Sequence, residues 1–246
     1  MASLRKILGF KKTRKKGVPG TRREALEILE RDGRDRDWHQ LMMYAHVMEL
    51  TRDVPGDIAE FGVASGTSMM AFVRMNGIFN KMRPHPVAKK SVFGFDSFEG
   101  LPALNESIDL ATEEARRVGD MVEGGFDSSG SYDALLSFVS EHENVELFKG
   151  WFSDTVADFM AARPHAAFSL LHIDCDLYES TKEALAPTLS RLAPGGVILF
   201  DEIFHRDYPG ESEAFWNIYN DVANQVSLDI RRVQSMPWKW YAVRTN

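Results

Sequence analysis

The chain has 246 residues, of which 44% are hydrophobic and 26% are charged, a composition that excludes global disorder and suits one large domain. Its single cysteine excludes an internal disulfide framework and a multi-cysteine zinc site. The net charge of −7 hides a division, because residues 1–23 carry nine basic side chains and no acidic one, whereas the other 223 residues carry 20 basic and 36 acidic side chains.

The basic segment, residues 1–23, admits three interpretations. Its like charges repel and little of it can be buried, which is typical of a solvated, flexible leader. Leu4, Ile7 and Leu8 follow helical spacing among the cations and suit a short helix on a membrane surface. The charge also suits a nucleic-acid arm or a transit peptide, although the acidic remainder argues against nucleic acid as the main substrate. No apolar run has the length of a secretory core or a membrane span, so we expect a cytoplasmic protein without a transmembrane segment.

Helices and strands alternate along residues 24–246, which we expect to form a single domain. Apolar residues at helical spacing predict helices at 24–30, 37–50, 67–80, 131–142, about 153–162, 179–192 and 211–224. Extended apolar runs predict strands at 57–62, 91–96, 145–148, 168–174 and 197–201, then two aromatic-rich strands near 228–233 and 238–244. This alternation predicts an α/β fold, with a mostly parallel sheet of about seven strands and helices on both faces.

Two segments interrupt the alternation. Residues 97–130 are polar and rich in glycine, and a connection of that length is typical of a functional lid or of a partly disordered segment. Pro194, Gly195 and Gly196 predict a turn immediately before the strand at 197.

Acidic residues stand at the carboxyl ends of four predicted strands. They are Glu60, Asp96, Asp174 with Asp176, and Asp201 with Glu202. In an open parallel sheet these ends meet at the edge where ligands bind. So many carboxylates at one edge repel one another unless a cation or hydrogen-bond donors neutralise them. The sequence therefore predicts a ligand site with a positive component at this edge.

The first strand runs into a glycine turn with the pattern G-x-x-x-G, from Gly62 to Gly66. It differs from the G-x-G-x-x-G pattern that holds a dinucleotide pyrophosphate, and Glu60 before it would repel a phosphate but suit a cationic amino group. Asp96, at the end of the second strand, is placed to accept hydrogen bonds from two ribose hydroxyls. A nucleoside that carries an amino acid fits both features, and S-adenosylmethionine is the common cofactor of that kind. The glycine pattern alone would also suit a purely structural tight turn.

The second acidic cluster has the oxygen-rich donor set of a hard divalent cation, Mg²⁺ or Ca²⁺. Asp174 and Asp176 alternate onto the same side of an extended chain, and an adjacent strand can bring Asp201 and Glu202 alongside. Such an ion would lower the pKa of a bound hydroxyl, and a remaining carboxylate would take its proton. The spacing leaves open which carboxylate is the base, and Asp176 could instead cap the following helix.

The other potentially reactive side chains near this cluster are expected to be structural. His172 lies inside an apolar strand and is expected to be a hydrogen-bonded core histidine. Cys175 has no base at a telling distance in the sequence, which favours a small core residue over a nucleophile. His205 lies in a loop just past an acidic strand end, which favours a surface histidine over a role in substrate contact or proton transfer.

Five stretches resemble the TylF-type O-methyltransferases, the family of the macrocin, mycinamicin and noviose sugar methyltransferases. In chain order they are EFGVASGTS (60–68), FGFDSFEGLP (93–102), KGWFSDT (149–155), LLHIDCDLYEST (170–181) and LAPGGVILFDEI (192–203). The resemblance runs from about residue 38 to residue 220 and implies a class I methyltransferase fold, Rossmann-like and doubly wound, that uses S-adenosylmethionine and Mg²⁺. The family usually has two aspartates where this chain has Asp201 and Glu202, and often a glycine where it has Cys175.

The resemblance also implies a role for each motif residue. The implied cofactor contacts are Glu60 at the methionine amino group, Gly62, Gly66 and Ser68 in the turn around it, Asp96 and Ser97 at the ribose, and Trp151 and Phe152 near the adenine. The implied metal ligands are Asp174, Asp201 and Glu202, and the implied general base is Asp176. Residues 97–130 correspond to a mobile lid over the substrate.

Together these features predict an O-methyltransferase, dependent on S-adenosylmethionine and Mg²⁺, that acts on a hydroxyl of a small, glycosylated natural product. We expect a homo-oligomer, because related enzymes are often dimers or larger. A methyltransferase with a carboxylate or phenol acceptor is one alternative. A non-catalytic cofactor-binding partner protein is another.

Overall fold

The computed structural model describes residues 35–82 and 89–246. The basic segment 1–23 and the helix predicted at 24–30 lie outside the described residues, so the predictions made for them stay predictions. The strands are β1 (Asp57–Phe61), β2 (Val92–Asp96), β3 (Val145–Lys149), β4 (Phe168–Ile173), β5 (Leu192–Phe200), β6 (Leu228–Arg232) and β7 (Trp240–Arg244). The helices are α1 (Asp35–Leu50), α2 (Thr67–Met82), α3 (Glu106–Asp109), α4 (Tyr132–Ser140), α5 (Phe152–Ala162), α6 (Tyr178–Thr188) and α7 (Pro209–Val222).

The strands form one seven-stranded sheet in the order β3-β2-β1-β4-β5-β7-β6. The five strands from β3 to β5 pair in parallel, whereas β7 runs antiparallel to both β5 and β6. The strand order turns back on itself between β1 and β4, which is where an open α/β sheet leaves a crevice at the carboxyl ends of its strands. The predicted α/β fold with a mostly parallel sheet is confirmed.

Two apolar layers cover the two faces of the sheet. One layer is built with α5, α6 and α7 and contains Phe159 and Phe215, and the other is built with α1, α2 and α4 and contains Met43 and Phe72. Side chains along β4 alternate between the layers, because successive residues of a strand point to opposite faces. Burial of each large apolar side chain stabilises the fold by about 1.5–3 kcal/mol, and both faces supply many of them.

The prediction of a turn at Pro194, Gly195 and Gly196 is wrong, because β5 begins at Leu192 and includes these residues. Phe168 pairs with Leu192 and Leu170 pairs with Val197, so the intervening residues of β5 bulge out of the ladder. Gly195 has a φ of +81°, a conformation that glycine adopts without steric cost. The backbone conformation typical of a turn is therefore present at Gly195, but the strand continues through it.

The segment 97–130 folds over the carboxyl edge of the sheet rather than forming an unstructured connection. It contains α3 and two short 3₁₀ turns, and it packs Leu101 and Met121 against Leu177 at the start of α6. The buried carboxylate of Asp109 accepts hydrogen bonds from the backbone N–H groups of Asn105 and Tyr178, each at 2.8 Å. These contacts fasten the segment to the strand-end loops beneath it.

In the part of the chain that the structure describes, none of the helices has the length and apolar character needed to cross a lipid bilayer.

Candidate active site

A cavity of about 830 Å³ opens at the carboxyl edge of the parallel strands, beneath the segment 97–130. Its walls come from the glycine turn after β1, the end of β2, the loop after β3 and the ends of β4 and β5. The segment 97–130 supplies a further wall with Leu101, Pro102 and Phe126, and residues of α6 and Tyr208 line the rest. Most of the sequence-predicted site residues meet here, as the strand-end argument requires.

The glycine turn is needed because the ends of β1 and β4 are in direct contact. The backbone N–H of Asp174 donates to the carbonyl of Phe61 at 2.9 Å, and the N–H of Gly62 donates to Phe95 at 3.0 Å. A Cβ atom at Gly62 would fall inside the carbonyl oxygen of Asp174, and the residue has a φ of +90°. Only glycine fits this close contact between the two backbones, which brings the turn next to the acidic end of β4.

Asp96 and its neighbours form the end of the cavity beside the glycine turn. The Asp96 carboxylate accepts backbone hydrogen bonds from Ala64 at 2.8 Å and from Phe98 at 2.6 Å. Ser97 lines the same wall and donates its hydroxyl to the carbonyl of Gly100 at 3.1 Å. The loop after β3 faces them with Trp151, whose side chain is partly exposed.

Phe152 lies against the edge of the Phe61 ring, at a centroid distance of 5.9 Å, and also lines the cavity. This end of the cavity therefore combines backbone turns, the Asp96 carboxylate and two aromatic side chains. Such a surface suits a flat, polar ligand of nucleoside type.

The structure places Glu60 and Ser68 behind the cavity wall, not on it. Glu60 is completely buried, and its Oε1 atom accepts hydrogen bonds from the Ser68 hydroxyl and from Nδ1 of His172, the latter at 3.0 Å. Gly66 packs toward Leu135 on α4 and likewise does not line the cavity. Their assignment as direct cofactor contacts stays a prediction, whereas the expectation that His172 is a hydrogen-bonded core histidine is confirmed.

The opposite end of the cavity holds the carboxylates of Asp174, Asp176, Asp201 and Glu202. Lys239, which sequence reasoning missed, lies between the last two, with its Nζ atom 2.6 Å from Asp201 Oδ1 and 3.1 Å from Glu202 Oε1. Only 2% of the Lys239 side chain is exposed, so this ammonium group is part of the core of the site. The sequence signal that could have identified Lys239 is its position between Trp238 and Trp240 at the start of a buried strand, where an unpaired lysine is unusual.

Burial and mutual repulsion control the ionisation of this cluster. Burial, followed by the charges of Asp201 and Asp176, raises the pKa of Asp174 well above its ordinary value. Burial and the charge of Asp201 raise the pKa of Glu202 to about 8. Although burial opposes it, the Lys239 ammonium lowers the pKa of Asp201. The protein therefore holds one firmly ionised carboxylate, Asp201, among neighbours that still need positive charge.

Asp176 occupies the centre of a tight turn between β4 and α6. Its φ is +60°, and the N–H of Leu177 donates to the carbonyl of Cys175 across it at 2.5 Å. A non-glycine residue in this region is strained, and such strain often occurs at functional sites. Burial, then the charge of Asp201, raises the pKa of Asp176 to about 7. The alternative that Asp176 caps α6 is wrong, because Leu177 is the capping residue and no side chain caps that helix end.

A second buried acid, also missed by sequence reasoning, supports the end of β5. Glu211 on α7 is completely buried and accepts a hydrogen bond from the backbone N–H of Glu202 at 3.2 Å. Burial, then the charge of Asp201, raises the pKa of Glu211 well above its ordinary value. His205 lies near the cluster, with Nδ1 3.8 Å from Glu202, but it does not line the cavity.

Comparison with known proteins places this geometry in a family. The model of the TylF, or macrocin-O-methyltransferase, family matches residues 33–241. The chain belongs to this family. The resemblance carried by the five sequence stretches is thus confirmed, and all the cavity residues named above lie inside the matched range.

Two curated relatives in the family are named O-methyltransferases. The 8-demethyl-8-(2,3-dimethoxy-alpha-L-rhamnosyl)-tetracenomycin-C 4'-O-methyltransferase of Streptomyces olivaceus is 29% identical over 170 residues, which are 65% of this chain and 58% of the relative. The demethyldecarbamoylnovobiocin O-methyltransferase of Streptomyces niveus is 30% identical over 166 residues, which are 61% of this chain and 53% of the relative. The match to each therefore spans little more than half of the relative's length.

Solved structures agree with the fold. The calicheamicin methyltransferase CalS11 superposes with a TM-score of 0.73 at 26% identity, over 97% of this chain and 88% of that chain. The O-methyltransferase NovP superposes with a TM-score of 0.61 at 23% identity, over 85% of this chain and 80% of that chain, a likeness of fold alone. An apo structure of CalS11 is described as a TDP-rhamnose 3'-O-methyltransferase.

Proposed function

We propose that this chain is an O-methyltransferase, dependent on S-adenosylmethionine and a divalent metal, that methylates a hydroxyl of a small, glycosylated natural product. The observation that carries the proposal is the cavity itself, which has the glycine turn and Asp96 at one end and Asp176, Asp174 and Asp201 at the other. One end suits a nucleoside and the other suits proton removal from an acceptor. Family membership and the names of the curated relatives support the same reaction class.

Asp96, Ser97, Trp151 and Phe152 would bind the cofactor. Each Asp96 oxygen accepts one backbone hydrogen bond, and a carboxylate oxygen has a second lone pair that can accept a ribose hydroxyl. The exposed Trp151 ring and the neighbouring Phe152 ring offer apolar surface to an adenine. Gly62 lets the turn lie against the end of β4 and lines the cavity, whereas Glu60 and Ser68 would act by holding the turn from behind.

The acidic end fits a divalent cation, because Asp174 has no ion-pair partner among residues 35–82 and 89–246 and lies beside Asp201. Asp174 and Asp201 would hold the ion, and Glu202 remains a candidate ligand that Lys239 already engages. When bound, S-adenosylmethionine supplies an electrophilic methyl group and the cation supplies positive charge beside the acceptor oxygen.

Asp176 would remove the acceptor's proton. Its strained turn fixes the side chain at the cavity wall, and a pKa of about 7 makes it a base that is largely ionised in mildly alkaline solution. The deprotonated acceptor oxygen would then be able to accept the methyl group that S-adenosylmethionine would supply, and Asp176 would keep the proton.

The charge of the lining restricts the acceptor. Nine acidic residues line the cavity, and no lysine, arginine or histidine does so within the described ranges. A phosphate or carboxylate would be repelled by this surface, which disfavours a nucleoside-diphosphate sugar and the alternative of a carboxylate acceptor. A neutral or cationic glycoside fits better, with its aglycone against Leu101, Pro102 and Phe126 of the covering segment.

The test is methyl transfer from S-adenosylmethionine to a panel of neutral glycosides, aminoglycosides and nucleoside-diphosphate sugars. Asp176→Asn should lower kcat by at least a thousandfold while calorimetry still shows cofactor binding. The control is Asp158→Asn, on the exposed side of α5. Near-wild-type turnover by Asp176→Asn would reject the base. Cofactor binding with no transfer to any acceptor class would favour the non-catalytic alternative.

A further inference from the structure

His172 lies directly behind the acidic end of the cavity, with no exposed surface. One of its ring nitrogens and one carboxylate oxygen from each of Asp174 and Asp201 lie within 4.8 Å of one another. These three groups are all acceptors unless they are protonated. Acceptors converge in this way where a cation bridges them.

Glu60 determines which nitrogen of His172 is available. Glu60 Oε1 lies 3.0 Å from Nδ1, so Nδ1 carries the hydrogen and Nε2 keeps its lone pair. Nε2 is buried and has no hydrogen-bond partner among residues 35–82 and 89–246. Tyr44 and Phe72 pack edge-on against the ring and fix its plane. A buried nitrogen without a partner is costly, and that cost is removed if the atom binds a metal.

A carboxylate behind an imidazole is the usual support of a histidine metal ligand, since it fixes the tautomer and increases the basicity of the free nitrogen. The Ser68 hydroxyl also donates to Glu60 Oε1, which holds the carboxylate in place. This chain thus contains a serine–glutamate–histidine series that ends at the acidic cluster. Nothing in a site of oxygen ligands alone requires such an arrangement.

The ion pair with Lys239 limits the ability of Glu202 to bind a cation. The Lys239 ammonium contacts Glu202 Oε1 and Asp201 Oδ1, and it forms no ion pair with Asp174 in the described part of the chain. Asp174, the second Asp201 oxygen and His172 Nε2 are therefore the donors left to a cation.

We propose that His172 Nε2 is a metal ligand, together with Asp174 and Asp201, and that the site takes a divalent transition metal such as Mn²⁺ or Co²⁺ in preference to Mg²⁺. An imidazole nitrogen favours transition metals, whereas Mg²⁺ prefers oxygen ligands and water. Glu60 is then a positioning residue for His172. The proposal rests on the proposed function for the role of the cation, but it concerns the identity of the ligands and of the metal.

The test is electron paramagnetic resonance of Mn²⁺ bound to the whole protein without cofactor or acceptor. We expect electron spin-echo modulation from one directly bound ¹⁴N nucleus, replaced by the ¹⁵N pattern when the protein contains ¹⁵N-labelled histidine. The labelled protein keeps its natural sequence, so this measurement does not depend on a variant that folds. Bound Mn²⁺ without nitrogen modulation would overturn the proposal and leave the methyltransferase assignment standing.

Two histidine variants locate the nitrogen. His172→Asn keeps a donor near Nδ1 for Glu60 and removes Nε2, so the ¹⁴N signal should disappear and the Mn²⁺ Kd should rise at least tenfold, while the Mg²⁺ Kd changes less than threefold. His205→Asn removes the other nearby imidazole and should leave the signal intact. Loss of the signal in His205→Asn but not in His172→Asn would refute the proposal. So would a wild-type protein that binds Mg²⁺ as tightly as Mn²⁺.

Glu60→Gln separates the positioning role from direct cofactor contact. We expect a 10–100-fold weaker Mn²⁺ affinity, as is typical for the loss of such a supporting carboxylate, and an unchanged Kd for S-adenosylmethionine measured without metal. A weaker cofactor Kd with unchanged Mn²⁺ affinity would contradict the positioning role of Glu60 and would instead support its contact with the methionine amino group.

Discussion

Replacement of Lys239 by methionine tests whether a buried ammonium neutralises the acidic end of the cavity. The substitution keeps a flexible chain of similar size and removes the charge. It leaves Asp201 and Glu202, whose side chains are 15% and 14% exposed, without the group that contacts them at 2.6 and 3.1 Å. Removal of one partner from a buried ion pair costs about 3–5 kcal/mol, because the remaining charge is left unpaired.

In a domain of this size, one kcal/mol corresponds to about 2–4 °C in the melting temperature. We therefore expect Lys239→Met to melt about 6–20 °C below the wild type in metal-free buffer at pH 7.5. The control is Lys182→Met, which removes an exposed ion pair of 3.3 Å to Glu179 on α6 and should change stability by no more than about 0.5 kcal/mol.

Addition of Mn²⁺ then tests whether the lower melting temperature of Lys239→Met comes from the carboxylates that have lost their cation. A ligand at 100 times its Kd stabilises a folded protein by about 2.7 kcal/mol, or about 5–11 °C for a domain of this size. The variant should bind the ion at least tenfold more tightly than the wild type, since the competing ammonium is gone. A variant that melts within about 2 °C of the wild type, or that gains no more from Mn²⁺ than the wild type does, would refute the neutralising role of Lys239.

Three further predictions follow from single contacts. Asp109→Ala removes the acceptor of two backbone hydrogen bonds and should destabilise the protein by about 1–3 kcal/mol while accelerating amide exchange in the segment 97–130, as measured by mass spectrometry. Unchanged exchange would exclude Asp109 as the fastening group. Trp151→Ala should raise the calorimetric Kd of S-adenosylmethionine about tenfold through the loss of aromatic contact. The pKa of about 7 at Asp176 predicts that kcat/KM falls tenfold per pH unit below an apparent pKa at or below about 7, since a bound cation only lowers that value. An acid limb with an apparent pKa clearly above 7, or an identical acid limb in the residual activity of Asp176→Asn, would exclude Asp176 as the base.

The sequence predicted the carboxyl edge well because the decisive information is local. Three of the four strands, β2, β4 and β5, bring an acid to the cavity because parallel strand ends must meet at one edge, whereas Glu60 lies one residue before the end of β1 and is buried behind the wall. The close contact between the ends of β1 and β4 was likewise indicated by Gly62, which has no space for a Cβ atom. Local periodicity failed at Pro194 because the β4 pairing extends β5 through a turn-like stretch.

The site residues that the sequence did not predict depend on contacts between residues that are far apart in the chain. Lys239 reaches Asp201 only because β7 pairs antiparallel with β5, which brings Trp240 opposite Phe200. Glu211 reaches the backbone of Glu202 from the first turn of α7. Spacing along the chain identifies carboxylates that can meet, but it does not identify the lysine that pairs with them or the buried glutamate that supports the backbone beside them.

The distribution of charge within the acidic end of the cavity follows from these long-range contacts. Asp201 is kept ionised by Lys239, whereas burial and the Asp201 charge raise the pKa of Glu202 and Asp176. A fixed internal cation therefore supplies only part of the positive charge that the cluster needs. Asp174 forms no ion pair and His172 Nε2 has no hydrogen-bond partner among the described residues, so the remaining positive charge is needed beside these two groups. A divalent ion at that position would complete the neutralisation, and the nitrogen would make the site selective for the kind of metal it binds.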